Sequence, residues 1–144
     1  MTGEPTKLVN IAMAALRQGD EYLLQHRNGD PSIGAAGLIG FYGGKIEDGE
    51  QVITAVCREI AEETSLILDP SLGREAGEVI VESDMKGQIV RVRAQVVEFV
   101  VEPGLAVESR EGELVRMTKD QLRANRDRLT PATREYFQTL EPTL

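Results

Sequence analysis

The sequence predicts an α/β fold in which helices cover both faces of a mixed β-sheet. Residues 89–101 alternate apolar and polar side chains, which is typical of a half-buried strand. Residues 52–60 carry apolar side chains at every fourth position, which indicates a helix with one packed face. Strand-like segments lie on both sides of this helix, and two further helix starts follow them. Elements in this order are best buried when helices pack on both faces of one sheet.

A β-hairpin is predicted near the start of the chain. Residues 7–16 form a strand candidate, residues 18–20 (Gln-Gly-Asp) are a turn signal, and residues 21–27 form the second strand. Residues 28–40 are rich in glycine and predict an irregular loop. Residues 41–46 then predict a short strand that leads into the first helix.

This first helix is amphipathic. Asp48 and Gly49 form a turn pair, and Asp48 is expected to cap a helix that begins near Glu50. The apolar stripe of this helix consists of Val52, Val56 and Ile60. Because these residues recur every four positions, we expect that side of the helix to face the core.

The second half of the chain predicts three strands and two helices. The strands are residues 75–82, 89–101 and 113–117. Thr118 is expected to cap a helix after the last strand, and Thr130 is expected to cap the final helix. The proline that follows Thr130 fits the first position of a helix, where its missing N–H has no cost.

Charged residues near the first helix follow a spacing that surface positions rarely show. Glu59 and Glu63 are i and i+4, with Glu62 at i+3, so the three carboxylates share one side of the helix. Like charges packed this closely require a positive partner, and hard oxygen ligands suit Mg2+ or Mn2+. Upstream, Gly43 and Gly44 let the backbone approach an ion or a phosphate closely. The pattern predicts a divalent metal site beside a double-glycine bend.

Residues 44–66 resemble the Nudix box. The box reads Gly, five residues, Glu, seven residues, Arg-Glu, an apolar residue, any residue, Glu-Glu, any residue, Gly and an apolar residue. The corresponding residues here are Gly44, Glu50, Arg58, Glu59, Ile60, Glu62, Glu63, Ser65 and Leu66. Ser65 replaces the usual glycine, and Tyr42 stands where the family often has proline. The resemblance implies a single Nudix hydrolase domain over residues 1–144, folded as an α/β/α sandwich.

The resemblance implies an enzyme that acts on acid anhydrides. Its cofactor would be Mg2+, with Mn2+ as a substitute, and its reaction would be hydrolysis of the diphosphate linkage of a nucleoside diphosphate derivative. In the MutT-like branch of the family, a nucleoside triphosphate or its deoxy form gives the monophosphate and pyrophosphate. Two alternatives stay open: a nucleotide-sugar or ADP-ribose pyrophosphatase, and a non-catalytic module that binds a nucleotide. The full set of box carboxylates favours an enzyme over a binding module.

The family's roles carry over to the matching residues. The implied catalytic residues, which also bind metal, are Glu59, Glu62 and Glu63. The carbonyl of Gly43 would add one more oxygen to the metal. Arg58 and Glu50 are implied to pair and, with Gly44, to fix the helix against the preceding loop.

A further carboxylate is expected from the loop before the last predicted strand. In the branch that cleanses damaged nucleoside triphosphates, this residue lies five positions before the glutamate that leads the strand. Glu108 lies five positions before Glu113 and is the match, as both a metal ligand and a catalytic residue, while Glu111 is its competitor. Either carboxylate could bind metal or act as a general base.

Three residues are candidates for substrate binding. Arg27 resembles a phosphate-contacting arginine of the same branch, while Phe41 and Tyr42 could form an aromatic wall for a base. The branch specific for oxidised guanine uses an asparagine near the final helix. Residues 129–131 are Leu-Thr-Pro here and the nearest asparagine is Asn125, so that specificity is not predicted.

Composition argues against several other classes of protein and of binding site. The chain has 144 residues and a formal net charge of −8, which argues against long nucleic acid as a partner because phosphate binding requires a basic field. It has no apolar run long enough to span a membrane and no signal-peptide pattern in its first ten residues. A single cysteine, Cys57, excludes an internal disulfide, and a single histidine argues against a His/Cys zinc site. We expect a cytoplasmic monomer or homodimer that acts on a small nucleotide.

Overall fold

The computed structural model describes residues 7–27, 29, 37–85 and 87–144, and the strands in this part form one mixed sheet. The strands are β1 (Leu8–Gln18), β2 (Glu21–His26), β3 (Ile39–Gly40), β4 (Tyr42–Lys45), β5 (Arg74–Met85), β6 (Gln88–Val100) and β7 (Glu113–Thr118). The main strand order is β3-β2-β1-β6-β5, while β4 also pairs with β1 and β7 with β2. Strands β1 and β6 are parallel and the other pairs are antiparallel. The predicted mixed sheet is confirmed.

Helices cover both faces of this sheet, as predicted. They are α1 (Val52–Glu63), α2 (Lys119–Ala124) and α3 (Pro131–Glu135), which continues as a π-helical segment (Tyr136–Leu140). Helix α1 packs against β4 and β1, and α3 packs against β5. Two separate apolar clusters result, one beneath α1 and one beneath α3. None of the helices in the described part of the chain combines the length and hydrophobicity that a membrane-spanning segment requires.

Strand β1 lies at the centre of the sheet and is buried on both faces. Its side chains alternate between the two apolar clusters, because successive residues of a strand point to opposite faces. Ala12, Ala14 and Leu16 belong to the cluster beneath α1. Met13 and Ala15 belong to the cluster beneath α3. This burial on both faces explains why the strand reads as a nearly continuous apolar run.

The alternation predicted for residues 89–101 is also confirmed. The side chains of Val90, Val92, Ala94 and Val96 are buried. Arg91 and Arg93 point to the other face and are exposed.

The face beneath α3 is filled by four aromatic rings. Tyr22, Phe41, Tyr136 and Phe137 pack with ring centroids 4.9–6.4 Å apart, in tilted or edge-to-face pairs. Such pairs contribute beyond the apolar area that they bury. Phe137 contacts the other three rings and is fully buried. It therefore joins the C-terminal helices to the sheet.

The expectation that Asp48 caps a helix beginning near Glu50 is wrong. Helix α1 begins at Val52, and its N-cap residue Gln51 makes no side-chain capping bond. Residues 47–50 form a turn instead, in which the N–H of Glu50 donates to the Glu47 carbonyl at 2.9 Å. Glu50 lies in this turn, outside the helix, and its carboxylate accepts a hydrogen bond from Arg58.

The short strand predicted at residues 41–46 is β4, and a separate two-residue strand, β3, precedes it. Strand β3 pairs with β2 and β4 pairs with β1. Between them, the N–H of Phe41 leaves the sheet and donates to Thr133 Oγ1 at 3.0 Å. Strand β3 falls within the predicted loop at residues 28–40, of which residues 28 and 30–36 lie outside the described part of the chain.

The two predicted threonine caps behave differently. Thr118 forms a capping box with Gln121 at the start of α2, as expected. Thr130 occupies the N-cap position of α3 but makes no capping bond to the helix backbone. Its hydroxyl donates to Thr133 Oγ1 at 2.8 Å, which links it to the Phe41 amide through Thr133.

Replacing Phe137 tests the role of the aromatic cluster. Phe137→Ala should lower the free energy of unfolding by about 3–5 kcal/mol, because it removes a fully buried ring and leaves a cavity. Urea denaturation measures this change. Ile67→Ala is the control: Ile67 is 83% exposed, so its effect should stay within about 0.5 kcal/mol. Equal effects of the two substitutions would contradict the assigned packing.

Candidate active site

The double glycine of β4 lies against the acidic side of α1. A Cβ atom on Gly43 would lie 2.2 Å from the carbonyl oxygen of Ala12, and one on Gly44 would lie 2.5 Å from the carboxylate of Glu59. Nonbonded atoms pack at about 3.5–4.0 Å, so neither position has room for a side chain. Glycine at 44 therefore lets α1 come into direct contact with the β4 backbone, while glycine at 43 lets β4 lie closely against β1.

Glu63 is the buried carboxylate at this contact. Its side chain accepts a hydrogen bond from the N–H of Gly43 at 3.1 Å, and the residue is only 9% exposed. Burial raises the pKa of the Glu63 carboxyl, and the nearby carboxylates of Glu59 and Glu111 raise it further. The helix register thus places Glu59 and Glu63 together beside the glycines, as the i, i+4 spacing suggested.

Arg58 and Glu50 form a bidentate ion pair that fixes the start of α1. Arg58 Nε lies 2.8 Å from Glu50 Oε2, and Arg58 Nη2 lies 2.9 Å from Glu50 Oε1. The hydrogen bonds from Arg58, supported by the Glu47 N–H, lower the pKa of Glu50 to about 2. Arg58 also donates to the Lys45 carbonyl at 3.1 Å and to Glu59 Oε1 at 3.0 Å. One guanidinium therefore connects the turn, strand β4 and a candidate metal ligand.

Glu62 does not join the other two helix carboxylates. Its side chain is 58% exposed and contacts Arg58 Nη1 at 3.5 Å. Successive helix residues are rotated by about 100°, so in a view along the axis the Glu62 side chain lies to one side of Glu59 and the Glu63 side chain to the other. Because Glu63 takes the inner side, Glu62 is directed towards solvent. The expectation that all three carboxylates converge is corrected to a pair.

The loop before β7 contributes Glu111 rather than Glu108 to the electrostatics of this pair. The carboxylate of Glu111 acts on both Glu63 and Arg27, shifting the pKa of each upward. Glu108 is exposed, and its backbone is bonded to Ser65: the Ser65 N–H donates to the Glu108 carbonyl at 2.9 Å. Both side chains are exposed, but of the two alternatives left open by the sequence only Glu111 acts electrostatically on Glu63.

A cleft of about 200 Å3 opens beside the glycines on the face opposite α1. Its floor is apolar and comes from alternate residues of β1 and from β5 and β6, while Thr130 and Pro131 form one rim. The apolar lining residues are Val9, Ile11, Met13, Phe41, Val81 and Val92. Gly43 and Gly44 lie on its border, so the cleft and the carboxylates share one strand backbone.

Arg27 lies between the cleft and the carboxylates. It lines the cleft, and its guanidinium interacts electrostatically with Glu63 and Glu111. Burial lowers the pKa of Arg27, and the two carboxylates oppose this change. A cation at this position can reach a ligand that extends from the cleft to the acidic pair.

Phe41 and Tyr42 do not form a joint aromatic wall, and this expectation is wrong for Tyr42. Phe41 lines the cleft, whereas Tyr42 is fully buried in the cluster beneath α1. The two are adjacent in the chain, and adjacent strand residues face opposite sides of a sheet. The Tyr42 hydroxyl instead donates to Ser109 Oγ at 2.8 Å.

Several residues of this region were not found from the sequence. Thr130 and Ser83 are polar groups in the cleft lining, and Ser109 receives the Tyr42 hydroxyl. Their positions depend on strands and loops that meet far from one another in the chain, so no local pattern marks them. Asn125 is not among the residues that line the cleft, and its side chain donates to the Gln121 carbonyl at the end of α2.

The donor set suits a hard divalent cation, although the side chains do not close around one as they stand. Among the described residues, no three His, Cys, Asp or Glu side chains form a group that could hold a metal ion. Glu59 accepts a hydrogen bond from Arg58, and Glu63 accepts one from the Gly43 N–H. Yet Glu59, Glu63 and Glu111 repel one another, and a divalent cation between them would relieve that repulsion.

The chain matches a family model along almost its whole length. A sequence model described as the NUDIX domain matches residues 6–140. No curated protein matches the sequence. With 27% identity, the chain is similar to the MutT NUDIX hydrolase from Burkholderia pseudomallei; the TM-score is 0.72, and 93% of this chain and 98% of that chain are covered.

Two further solved structures share the fold. The MutT protein from Methanosarcina mazei Go1 has a TM-score of 0.76 and 22% identity, with coverage of 97% of this chain and 96% of that chain. A bifunctional NMN adenylyltransferase/ADP ribose pyrophosphatase from Francisella tularensis, complexed with AMP and a Mn ion, has a TM-score of 0.69 and 17% identity. That match covers 99% of this chain and 44% of that chain.

Glu50→Gln should destabilise the protein in a pH-dependent way. The ion pair with Arg58 lowers the folded-state pKa of Glu50 from an ordinary 4.5 to about 2. Its stabilising contribution is therefore fully present above about pH 4.5 and is lost as the pH falls towards 2. The difference in urea midpoint between wild type and Glu50→Gln should be largest at neutral pH and should shrink below pH 4.5.

The matched control for this experiment is Glu47→Gln. Glu47 lies 3.9 Å from Arg58 Nε and its side chain is 69% exposed, so this pair should contribute little at any pH. A difference between wild type and Glu50→Gln that does not vary with pH would contradict the role of the ion pair.

Proposed function

The chain belongs to the Nudix hydrolase family, which acts on nucleoside diphosphate derivatives, and on that premise we propose that it is a Mg2+-dependent nucleotide pyrophosphohydrolase. Its preferred substrate would be a nucleoside triphosphate or its deoxy form, which it would hydrolyse to the monophosphate and pyrophosphate. Mn2+ would substitute for Mg2+. The chain would act as a single domain on a small nucleotide.

One observation carries this proposal. Glu59 and Glu63 lie beside the Gly43–Gly44 backbone, Glu111 acts electrostatically on Glu63, and an apolar cleft opens on the other side of the same backbone. A nucleotide has the matching division between an aromatic base and a charged phosphate chain. The base would occupy the cleft against Phe41, and the phosphates would extend past Arg27 towards the carboxylates.

Each of these residues has a defined task in the proposed reaction. Hydrolysis joins the oxygen of water to phosphorus and breaks a bridging P–O bond, while a proton leaves the water. Glu59 and Glu63 would hold the metal ion, with Glu111 as a third ligand or as the acceptor of the proton. When bound, the metal supplies neutralisation of phosphate charge and a lower pKa for its water.

The remaining charged residues orient this set. Arg27 would contact the phosphate chain, since its guanidinium already lies between the cleft and the carboxylates. The Arg58–Glu50 pair keeps α1 in register with β4, and the N–H of Gly43 holds the Glu63 carboxylate against the strand. Substrate that enters the cleft would therefore meet carboxylates that are already positioned.

A second candidate is hydrolysis of ADP-ribose or a nucleotide sugar. The Francisella tularensis structure is named as a bifunctional NMN adenylyltransferase/ADP ribose pyrophosphatase complexed with AMP and a Mn ion, and part of that chain shares this fold. The same carboxylates would serve both reactions. The two functions differ in what occupies the space beyond the second phosphate.

A substrate panel with product identification tests the proposal. Purified protein with Mg2+ is incubated with nucleoside triphosphates, deoxynucleoside triphosphates, ADP-ribose and nucleotide sugars, and the products are separated by ion-exchange chromatography. We expect monophosphate and pyrophosphate from at least one triphosphate. Glu63→Gln should remain folded, because its amide oxygen can still accept from the Gly43 N–H, and should lower turnover by orders of magnitude. No product from any substrate would favour a non-catalytic binding module.

Glutamine substitutions at the two loop carboxylates separate their roles. Glu111→Gln should lower kcat by about 100-fold or more, as expected for loss of a metal ligand or general base. Glu108→Gln, a change of the same size and charge three residues away in the same loop, should leave kcat near the wild-type value because Glu111, and not Glu108, acts on Glu63. Steady-state kinetics on the best substrate of the panel measure both. The opposite ranking would assign the role to Glu108.

A further inference from the structure

The two departures from the Nudix box make hydrogen bonds to the same loop. Tyr42 replaces the frequent proline, and its hydroxyl donates to Ser109 Oγ at 2.8 Å. Ser65 replaces the usual glycine, and its hydroxyl oxygen accepts from the N–H of Glu108 at 2.9 Å. Neither proline nor glycine has a hydroxyl that could make these bonds. Residues from opposite ends of the box therefore meet at residues 108–111.

A chain of hydrogen bonds leads from Tyr42 to the backbone of Glu111. Ser109 Oγ, which receives the Tyr42 hydroxyl, donates in turn to the Glu111 carbonyl at 2.8 Å. The same carbonyl accepts from Gln25 Nε2 at 2.7 Å. Tyr42 is fully buried and Gln25 is almost fully buried, so both donors are fixed by packing. The Glu111 carbonyl is thus held by Gln25 directly and by Tyr42 through Ser109.

The other end of the loop is bonded to the C-terminal end of α1. The N–H of Arg110 donates to the Glu63 carbonyl at 2.7 Å, and Arg110 Nη1 donates to the Ala61 carbonyl at the same distance. The Ser65 hydroxyl and N–H bond the two backbone groups of Glu108. Residues 108–111 therefore follow the end of the helix, and their backbone is fixed beside Glu63.

We propose that Tyr42 and Ser65 are positioning residues that hold the loop at residues 108–111 beside the C-terminal end of α1, so that the Glu111 carboxylate stays within reach of a metal ion at Glu63. This inference rests on the proposed function. Its physical basis is that Glu111 and Glu63 are like charges, so an untethered loop would move the Glu111 carboxylate farther from Glu63. The two hydroxyls oppose that movement before metal arrives, and the site is then preorganised for the ion.

Removal of the hydroxyls tests this role without loss of buried volume. Tyr42→Phe and Ser65→Ala are each compared with wild type by Mn2+ titration of the nucleotide-free protein, with free Mn2+ measured by electron paramagnetic resonance. We expect Tyr42→Phe to weaken Mn2+ binding by about 10-fold, as is usual for loss of an outer-shell partner of a ligand. Ser65→Ala should act in the same direction but less, because the Ser65 N–H still bonds the loop. Hydrogen exchange of the Arg110 amide should become faster in both variants.

A double-mutant cycle shows whether Tyr42 acts through Glu111. If it does, Tyr42→Phe should change Mn2+ affinity by less than about two-fold in a Glu111→Gln background, which is the usual limit of additivity. The matched control is Tyr136→Phe, which also removes a buried hydroxyl, here one that donates to Glu98 Oε2 at 2.5 Å on the opposite face of the sheet. It should change stability but leave Mn2+ affinity unchanged.

The outcomes separate this inference from the proposed function. Wild-type protein that binds Mn2+, with a Tyr42→Phe variant that binds it equally well, would overturn the positioning role alone. An effect of Tyr42→Phe that persists in the Glu111→Gln background would also overturn it, because the residue would then act by another route. Wild-type protein that binds no Mn2+ would overturn both.

Discussion

The contact between the acidic side of α1 and the bare backbone of Gly43 and Gly44 is the constraint on which the rest of the site depends. Neither glycine has room for a Cβ atom, since Gly44 lies against the Glu59 carboxylate and Gly43 against β1. At this contact the Gly43 N–H donates to the buried carboxylate of Glu63. Such proximity is costly, since it brings like charges out of solvent. Arg58 offsets part of this cost by bonding Glu50 and Glu59 together. The box arginine therefore stabilises the geometry in which the carboxylates can act.

Strand β1 connects this charged contact to the apolar cleft. Its side chains that point one way, such as Ala12, pack beneath α1, and those that point the other way, such as Met13, form the floor of the cleft. A base in the cleft and phosphates at the carboxylates would thus be aligned by one sheet. The central position of β1, paired on both sides, makes it a rigid reference for both halves of the proposed site.

Local sequence spacing predicted part of the site geometry and failed where contacts between residues distant in the chain determine that geometry. The i, i+4 register of Glu59 and Glu63 and the pairing of Arg58 with Glu50 follow from the helix and the motif. The exposure of Glu62 could not be predicted from spacing alone, because it depends on which side of α1 faces β4. Tyr42 was placed on the wrong side because adjacent residues here face opposite sides of the sheet, and which of them faces the cleft depends on the pairing of β4 with β1. The choice of Glu111 over Glu108 depends on hydrogen bonds between residues far apart in the chain.

The most direct measurement is the location of Mn2+ in crystals of the protein soaked with the ion and a non-hydrolysable nucleotide, by anomalous scattering. The proposed site predicts a peak bordered by the carboxylates of Glu59, Glu63 and Glu111 near the Gly43 carbonyl, with the base in the cleft beside Phe41. A peak elsewhere, with Glu63 still bonded to the Gly43 N–H and Glu59 to Arg58, would contradict it.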